Sequence, residues 1–223
     1  MLLIPGLLDA ARLAELNQLL DGAAFVPGQF SGGTAGTFIK DNLQISPRDP
    51  LYPRLNQFVT QAVLSAPAVQ AYALPSRATP INFARYGAGN AYGDHVDAAI
   101  HPLSNMIVRT DLSFTLFLCP ADEYGGGELV LTESGGERVV RGNAGDVVLY
   151  ETGVVHRVNP VTAGTRRVAV GWIQSLVASH EHRAILYRLG QARDRLLAGS
   201  GRTPEFEAVN YSYENLLRMF SQP

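Results

Sequence analysis

Two stretches near the start of the chain carry apolar residues at every third or fourth position. They run from Ala10 to Asp21 and from Leu51 to Ser65, and this spacing predicts two amphipathic helices. Asp9 offers an N-cap and Gly22 a stop for the first helix, and Pro67 is expected to end the second. We expect both helices to pack on a sheet, with partner binding as the alternative.

Between Thr79 and Ile173 the pattern changes to short apolar runs separated by Gly, Pro and Asn. This arrangement favours an antiparallel sandwich or barrel, and the runs suit a jelly roll. Strands are expected at Ile81–Tyr86, Tyr92–Val96, Asp111–Cys119, Glu128–Leu131, Arg138–Val140, Asp146–Tyr150, His156–Val158 and Arg166–Ile173. The glycine-rich residues 23–49 predict further strands joined by loops, without a defined register.

Beyond Ser175 the spacing becomes helical again. It predicts a helix from Ser179 to Leu197, a linker at Gly199–Gly201 and a last helix from Val209 to Phe220. The chain is therefore predicted to be mainly β with flanking helices, built on a cupin-like jelly roll. Its predicted parts are an N-terminal strand and helix segment packed on the core (1–77), the jelly-roll core (78–177) and a C-terminal helical extension (178–223).

The composition narrows the class of protein. The 223 residues are 46% hydrophobic and 17% charged, with a formal net charge of −2, which indicates a soluble globular chain with no basic excess for nucleic acid. No apolar run approaches the roughly 20 residues that a membrane span requires. Met1–Pro5 is apolar but lacks a basic flank, so it does not match a signal peptide.

The single cysteine, Cys119, lies in an apolar run that predicts a strand. One cysteine cannot form a disulfide framework, which favours a reducing compartment. We therefore expect a buried free thiol and a cytoplasmic location.

Candidate chemistry is concentrated in three short segments. His95 and Asp97 are two positions apart after an apolar run, and alternate residues of an extended strand point to the same side. His156 follows about 60 residues later, and Arg166 begins the last apolar strand. Two histidines and one carboxylate form the facial triad of non-haem iron(II) oxygenases, and an arginine suits a carboxylate-bearing cosubstrate. This order predicts an oxygenase.

The remaining histidines fit this pattern less well. His101 lies near the predicted site and is either a spare ligand, a substrate contact or, as we expect, a solvated loop residue. His180 and His182 stand in a charged run, which is more typical of a solvated helix start than of a second site.

The residues resemble those of the PKHD-type hydroxylases, which are iron(II)- and 2-oxoglutarate-dependent dioxygenases similar to the catalytic domain of prolyl and lysyl hydroxylases. The resemblance covers essentially the whole chain. It is carried by the segments Asn82–Tyr86, Tyr92–Asp97, Arg109–Ser113, Gly125–Leu129, His156–Thr162 and Trp172–Ser175.

This resemblance implies a double-stranded β-helix core with His95, Asp97 and His156 as ligands of Fe(2+). It implies that Arg166 binds 2-oxoglutarate and that L-ascorbate serves as a reductant. Bacterial members are often associated with iron acquisition, which is context from the family and not a feature of this sequence.

Further pocket residues follow from strand alternation. Val168, Val170 and Trp172 are expected on the same side as Arg166, and Trp172 is a candidate substrate contact. Tyr86 and Tyr92 are candidates to bind 2-oxoglutarate, with aromatic packing as the alternative.

Two arginines are further candidates for substrate contact. Arg85 and Arg109 are expected either to orient the substrate or to form surface ion pairs. The loop Gly87–Asn90 and residues 98–108 are candidate lids over the cavity.

Three functions stay open at this point. The leading one is a 2-oxoglutarate-dependent dioxygenase that hydroxylates a small-molecule or peptide substrate with O2. The alternatives are a non-oxidative metal-dependent cupin enzyme, for which Arg166 has no natural role, and a binding protein that senses iron or 2-oxoglutarate. The apolar C-terminal helices are compatible with a homodimer.

Overall fold

The computed structural model describes residues 1–28, 39–103 and 106–222. Helices in this part of the chain are α1 (Ala10–Asp21), α2 (Tyr52–Ser65), α3 (Pro67–Ala73), α4 (His180–Ser200) and α5 (Pro204–Phe220), with a 3₁₀ turn at Ala121–Glu123. The strands are β1 (Leu2–Ile4), β2 (Phe25–Pro27), β3 (Lys40–Asp41), β4 (Leu43–Ile45), β5 (Pro75–Ala78), β6 (Asn82–Tyr86), β7 (Ala91–His95), β8 (Ile100–Pro102), β9 (Ile107–Arg109), β10 (Leu112–Phe117), β11 (Tyr124–Gly126), β12 (Leu129–Glu133), β13 (Gly136–Val140), β14 (Val147–Glu151), β15 (Val155–Val158), β16 (Val161–Gly164) and β17 (Arg166–Ser175).

Two antiparallel sheets form the body of the protein. The larger has eight strands in the order β1-β14-β10-β17-β6-β4-β2, with β5 paired to β17, and the smaller has the order β13-β12-β15-β7-β3. Two short ribbons, β8-β9 and β11-β16, lie outside these sheets. The predicted jelly roll, mainly β with flanking helices, is confirmed.

The larger sheet is buried on both faces because alternate residues of its central strands enter different cores. On β10, Leu112, Phe114 and Leu116 belong to one apolar cluster with Leu16 of α1 and Leu55 of α2. The helices therefore cover the outer face of this sheet, as their apolar spacing predicts.

The inner face of the larger sheet meets the smaller sheet. Here a second apolar cluster joins Phe117 of β10 and Val168 of β17 to Leu129 and Leu131 of β12 and Val158 of β15. Leu129, Val158 and Val168 of this cluster also line the cavity described below.

The helix ends follow the predicted signals in part. Asp9 caps α1 by accepting a hydrogen bond from the backbone N–H of Arg12, and Gly22 ends this helix. Pro67 does not simply end a helix: it begins the short helix α3, where a proline is tolerated because the first helical N–H needs no partner. The predicted linker at Gly199–Gly201 is also wrong, since α4 continues to Ser200 and only Gly201 lies beyond it.

The strands β8, β9 and β11 were not predicted, because three residues carry no readable periodicity, whereas the strands expected within residues 23–49 are β2, β3 and β4. Within residues 1–77, β1 pairs with β14, β3 with β7 and β4 with β6. This segment thus extends both sheets as well as covering one of them. The predicted glycine-rich loop at residues 29–38 lies outside the described residues, and the division into three parts stays a prediction.

The C-terminal helices pack on each other and on the sheet. Tyr213 of α5 faces Gly190 of α4, where an added Cβ would lie 3.3 Å from the tyrosine ring. Arg183 of α4 is buried and forms an ion pair with Glu151 of β14. Among the described helices, none has both the length and the apolar character needed to cross a membrane.

Candidate functional site

A cavity of about 350 Å³ opens between the two sheets, within the size range of small-molecule sites. Side chains from both sheets, the segment after β7 and the β8-β9 ribbon surround it. They are Lys40, Gln44, Asn82, Ala84, Tyr86, Tyr92, His95, Val96, Asp97, Ala98, His101, Thr110, Thr115, Leu129, Tyr150, His156, Val158, Arg166, Val168, Val170 and Trp172.

Two histidines face each other on the smaller sheet. His95 of β7 and His156 of β15 are cross-strand partners, and their ring centroids are 4.2 Å apart. Each Nδ1 lies close to a backbone carbonyl, at 2.8 Å from Gly93 and 2.9 Å from Val154. Because a carbonyl only accepts, Nδ1 carries the hydrogen and Nε2 presents a lone pair to the cavity.

His95 is held in the form that a metal requires. Burial, and then the neighbouring His156, lowers the pKa of His95 to about 4. The imidazole of His95 is therefore neutral at pH 7, and neutral imidazole is the form that binds a metal ion.

Asp97 completes a group of three possible ligands. One carboxylate oxygen lies 3.7 Å from Nε2 of His95 and the other 3.5 Å from Nε2 of His156. One ligand atom from each residue can be chosen so that all lie within 4.8 Å of one another. Asp97 is not on the strand as predicted, because β7 ends at His95; the chain after the strand brings the carboxylate into place. The three side chains could together hold one metal ion.

A buried hydroxyl orients the carboxylate from the larger sheet. Ser113 of β10 is fully buried and donates a hydrogen bond of 2.8 Å to Oδ2 of Asp97. The same hydroxyl lies 3.2 Å from Oγ1 of Thr152. Partners of this kind commonly fix the orientation of a metal ligand.

Arg166 is a buried cation at the start of β17. The side chain is 1% exposed, and Nε and Nη1 have no hydrogen-bond partner in the described part of the chain. The hydroxyl of Tyr124 contacts the guanidinium, which also lies 5.2 Å from the centre of the Tyr86 ring. Burying a charge without an opposite charge is costly, so this position favours a bound anion.

Tyr92 and Lys40 lie beside His95. Tyr92 stacks on the His95 ring at 3.6 Å between centroids, and the ammonium of Lys40 lies 5.2 Å from the Tyr92 ring. Burial lowers the pKa of Lys40 to about 8, although Asp97 acts in the opposite direction. Burial raises the pKa of Tyr86 and of Tyr92, so both phenols stay protonated.

Of the remaining predicted residues, some line the cavity and others do not. Val168, Val170 and Trp172 line the cavity with Arg166, as strand alternation predicts. Arg85 faces away, with its guanidinium 4.5 Å from the centre of the Phe25 ring.

Arg109 is also absent from the cavity lining. Its guanidinium binds both carboxylate oxygens of Asp111 and the carbonyl of Ser175. These bonds tie the end of β9 to the larger sheet and leave the side chain a structural ion pair.

Sequence reasoning missed several cavity residues, Lys40 among them, and misplaced His101. Lys40 comes from the short strand β3, and no local pattern distinguishes it. His101, which we expected in a solvated loop, lies on β8, lines the cavity and is 6.0 Å from the Trp172 ring. Its spacing of four positions from Asp97 was the available signal.

The other two histidines lie away from the cavity. His180 pairs with Glu151 at 2.9 Å, and His182 stacks on Phe220. The predicted lid Gly87–Asn90 is a turn held to β16 by two hydrogen bonds with Val161, and it does not line the cavity.

Comparisons with known proteins agree with this geometry. Residues 81–174 match the model of the 2OG-Fe(II) oxygenase superfamily. A PKHD-type hydroxylase of Janthinobacterium sp. (strain Marseille) is 40% identical over 223 residues, with 99% of each chain covered. A PKHD-type hydroxylase of Klebsiella pneumoniae is 40% identical over 220 residues, with 98% of each chain covered.

Solved structures show the same fold at lower identity. A prolyl-4-hydroxylase of Pseudomonas putida is 20% identical with a TM-score of 0.52, covering 78% of this chain and 91% of that one. A prolyl hydroxylase of Trichoplax adhaerens, solved with a peptide fragment of hypoxia inducible factor, is 16% identical with a TM-score of 0.56, covering 82% and 86%. On the full-length relatives, this chain belongs to the PKHD-type hydroxylases, which are 2-oxoglutarate- and iron(II)-dependent dioxygenases.

Proposed function

We propose that the enzyme couples oxidative decarboxylation of 2-oxoglutarate to hydroxylation of a small-molecule or peptide substrate. The observation that carries this proposal is Arg166. Its buried guanidinium faces the cavity that contains the three possible metal ligands, and two of its nitrogens are unpartnered among the described residues. A dicarboxylate that also reaches the metal would supply the missing anion.

The donor set fits iron(II). His95, Asp97 and His156 offer two imidazole nitrogens and one carboxylate, and three ligands on one side leave coordination positions open. Bound there, iron(II) would supply the open positions at which 2-oxoglutarate and dioxygen react.

The chain's own residues would position the cosubstrate and shield it. Arg166 would pair with the C5 carboxylate, and Tyr86 and Tyr92 would donate hydrogen bonds from their protonated hydroxyls. Val168 continues from Arg166 along the same face of β17 and is 1% exposed. It would keep water away from that end of the cavity.

Release of labelled CO2 from 2-oxoglutarate tests the reaction class. The protein is purified without oxygen, loaded with iron(II), and given C1-labelled 2-oxoglutarate and air. We expect iron-dependent release that Asp97→Ala reduces at least about 100-fold, because the variant lacks the carboxylate ligand. Asp94→Ala is the matched control, since Asp94 is an exposed carboxylate in the same segment, and should keep the activity.

Two other results would contradict the proposal. Full activity in Asp97→Ala would remove this residue from the metal site. Tight binding of 2-oxoglutarate with no succinate, even when candidate substrates are added, would favour the sensing protein. The non-oxidative cupin would be favoured if 2-oxoglutarate did not bind, since such an enzyme gives Arg166 no partner.

Several finer points stay predictions that rest on the family. They are the use of ascorbate as a reductant, a link to iron acquisition, a homodimer and a cytoplasmic location. Adding ascorbate to the CO2 assay tests the first of these directly.

A further inference from the structure

We propose that the end of the cavity around His101 and Trp172 binds a carboxylate of the substrate. The inference rests on the proposed function, in which 2-oxoglutarate occupies the opposite end beside Arg166. Membership of the family does not specify the substrate class, and this inference names it as acids.

The rings of Trp172 and His101 can each form a further hydrogen bond. Nε1 of Trp172 and Nδ1 of His101 are buried atoms, and neither has a hydrogen-bond partner among residues 1–28, 39–103 and 106–222. An indole N–H can only donate, so its partner must be an acceptor, and an imidazole can donate as well. Leaving two such groups unpaired in the complex would be costly.

Trp172 lies far from Arg166, the residue that would hold the cosubstrate. Trp172 follows Arg166 by six positions on β17, which is about 20 Å along an extended strand at about 3.3 Å per residue. The four carbon–carbon bonds of 2-oxoglutarate, each about 1.5 Å, span about 6 Å. The guanidinium stays at its own end of the strand, 5.2 Å from the ring of its cross-strand partner Tyr86. A cosubstrate held there therefore does not reach the indole N–H, and this donor is left for another molecule.

The charges that line the cavity favour an anionic substrate. Among its lining residues, the side chains that are charged at neutral pH are Lys40, Asp97 and Arg166, apart from the histidines. Residues 29–38 and 104–105, which the structure does not describe, contain no ionisable side chain. The charges of iron(II) and of 2-oxoglutarate cancel, so the loaded cavity keeps one positive charge. An anionic substrate would neutralise it, whereas a cationic one would be repelled.

Donors and positive charge together select a carboxylate over an amine or an alkyl group. The carboxylate could come from an acidic side chain of a peptide or from the terminus of a small acid. Both sources share the same chemistry, and matched probes distinguish them.

The experiment measures dissociation constants of two probe pairs without oxygen, on protein loaded with iron(II) and saturated with 2-oxoglutarate. The first pair is N-acetyl-Ala-Glu-Ala amide and its Gln counterpart. The second is N-acetyl-Ala-Ala as the free acid and as the amide. We expect the acid of at least one pair to bind about tenfold more tightly than its amide, and the pair that shows the preference identifies the source.

Variants assign the preference to this end of the cavity. Trp172→Phe keeps an aromatic ring without the N–H, and His101→Phe removes the imidazole; each should reduce the preference at least threefold. His180→Phe is the matched control, because His180 pairs with Glu151 outside the cavity, and it should keep the preference. Unchanged binding of 2-oxoglutarate shows that the variants are folded.

Three outcomes would overturn the inference: equal binding of acid and amide, no binding of any probe, or a preference that survives in both Trp172→Phe and His101→Phe. Failure of the proposed function looks different. In that case the iron-loaded wild-type protein either does not bind 2-oxoglutarate or binds it without forming succinate, whatever the probes show.

Discussion

The two sheets that enclose the cavity differ in regularity and in what they contribute. In the larger sheet, β10 pairs with β17 over six consecutive positions without a shift, and all six residues of β10 are buried. In the smaller sheet, the pairing of β15 with β7 shifts register beside His156, and β7 is only partly buried. The larger sheet supplies Arg166, while the smaller one supplies both histidines.

This difference separates stability from metal chemistry. A regular strand buried on both faces holds a side chain firmly, which suits a guanidinium kept in a costly environment. In the smaller sheet the two imidazoles meet as cross-strand partners, and the carboxylate of Asp97 joins them because the chain leaves β7 after His95. Changes in the larger sheet should therefore alter stability or anion binding, except at Ser113, which donates a hydrogen bond to Asp97, and changes around β7 should alter metal binding.

The largest effect is expected at the anion end. Arg166→Met should raise the dissociation constant of 2-oxoglutarate by about 100-fold, because hydrogen bonds to a charged group contribute about 1.5–3 kcal/mol each. Iron(II) affinity should be unchanged, which titration calorimetry without oxygen can check. The control is Arg167→Met, since Arg167 lies on the other face of β17 and pairs with Asp21. A loss of iron binding in Arg166→Met would break the separation between the sheets.

Ser113 is where the larger sheet touches the metal group. Ser113→Ala should weaken iron(II) binding by about 10- to 100-fold, because the hydrogen bond that orients Asp97 is lost. Thr152→Ala, one hydrogen bond further away, should have a smaller effect. Equal affinities for the wild type and Ser113→Ala would show that the ligand is oriented without this contact.

Packing on the outer face of the larger sheet can be disturbed without touching the site. A Cβ added at Gly171 would lie 2.7 Å from the Phe114 ring and 3.0 Å from Ile81. Gly171→Ala should therefore lower the free energy of unfolding by about 1–3 kcal/mol, measured by urea denaturation, while the folded protein keeps its iron(II) affinity. Gly153→Ala is the control, because no atom lies within 4 Å of an added Cβ there.

The smallest effect concerns pH and the buried Lys40. Its pKa falls from 10.5 to about 8 on folding, so between these values the folded protein binds fewer protons than the unfolded chain. The free energy of unfolding therefore rises with pH across this window, by up to about 1.4 kcal/mol per pH unit. Lys40→Met should remove that slope in metal-free protein between pH 8 and 10. A slope unchanged by the substitution would mean that Lys40 is not buried as described.

The fold was predictable where periodicity extends over many residues. Both long N-terminal helices and the strand of Arg166 follow their apolar spacing, and β17 extends the predicted strand by two residues, to Ser175. Strands were expected within residues 23–49, where β2, β3 and β4 lie, but their register was not predictable because two or three residues give no period to read. The second helix ends before Pro67 as predicted, but the short helix that begins at Pro67 was not foreseen, because a proline can either end a helix or begin one.

The site was predictable at the level of residue identity but not of geometry. His95, Asp97, His156 and Arg166 all face one cavity, and their types and order were visible in the sequence. Arg85, one position before Tyr86, points to the other face of the sheet, and a shift of one residue in a strand is enough to cause this.

The sequence by itself determined the helices, the strand-rich centre, the ligand types and the family. The tertiary structure alone decided that Lys40 and His101 enter the cavity and that Ser113 holds the carboxylate of Asp97. The physical reason is the range of the interactions. Periodicity reports contacts within a single element, whereas the cavity is formed by strands that are far apart in the chain and pair through long-range packing.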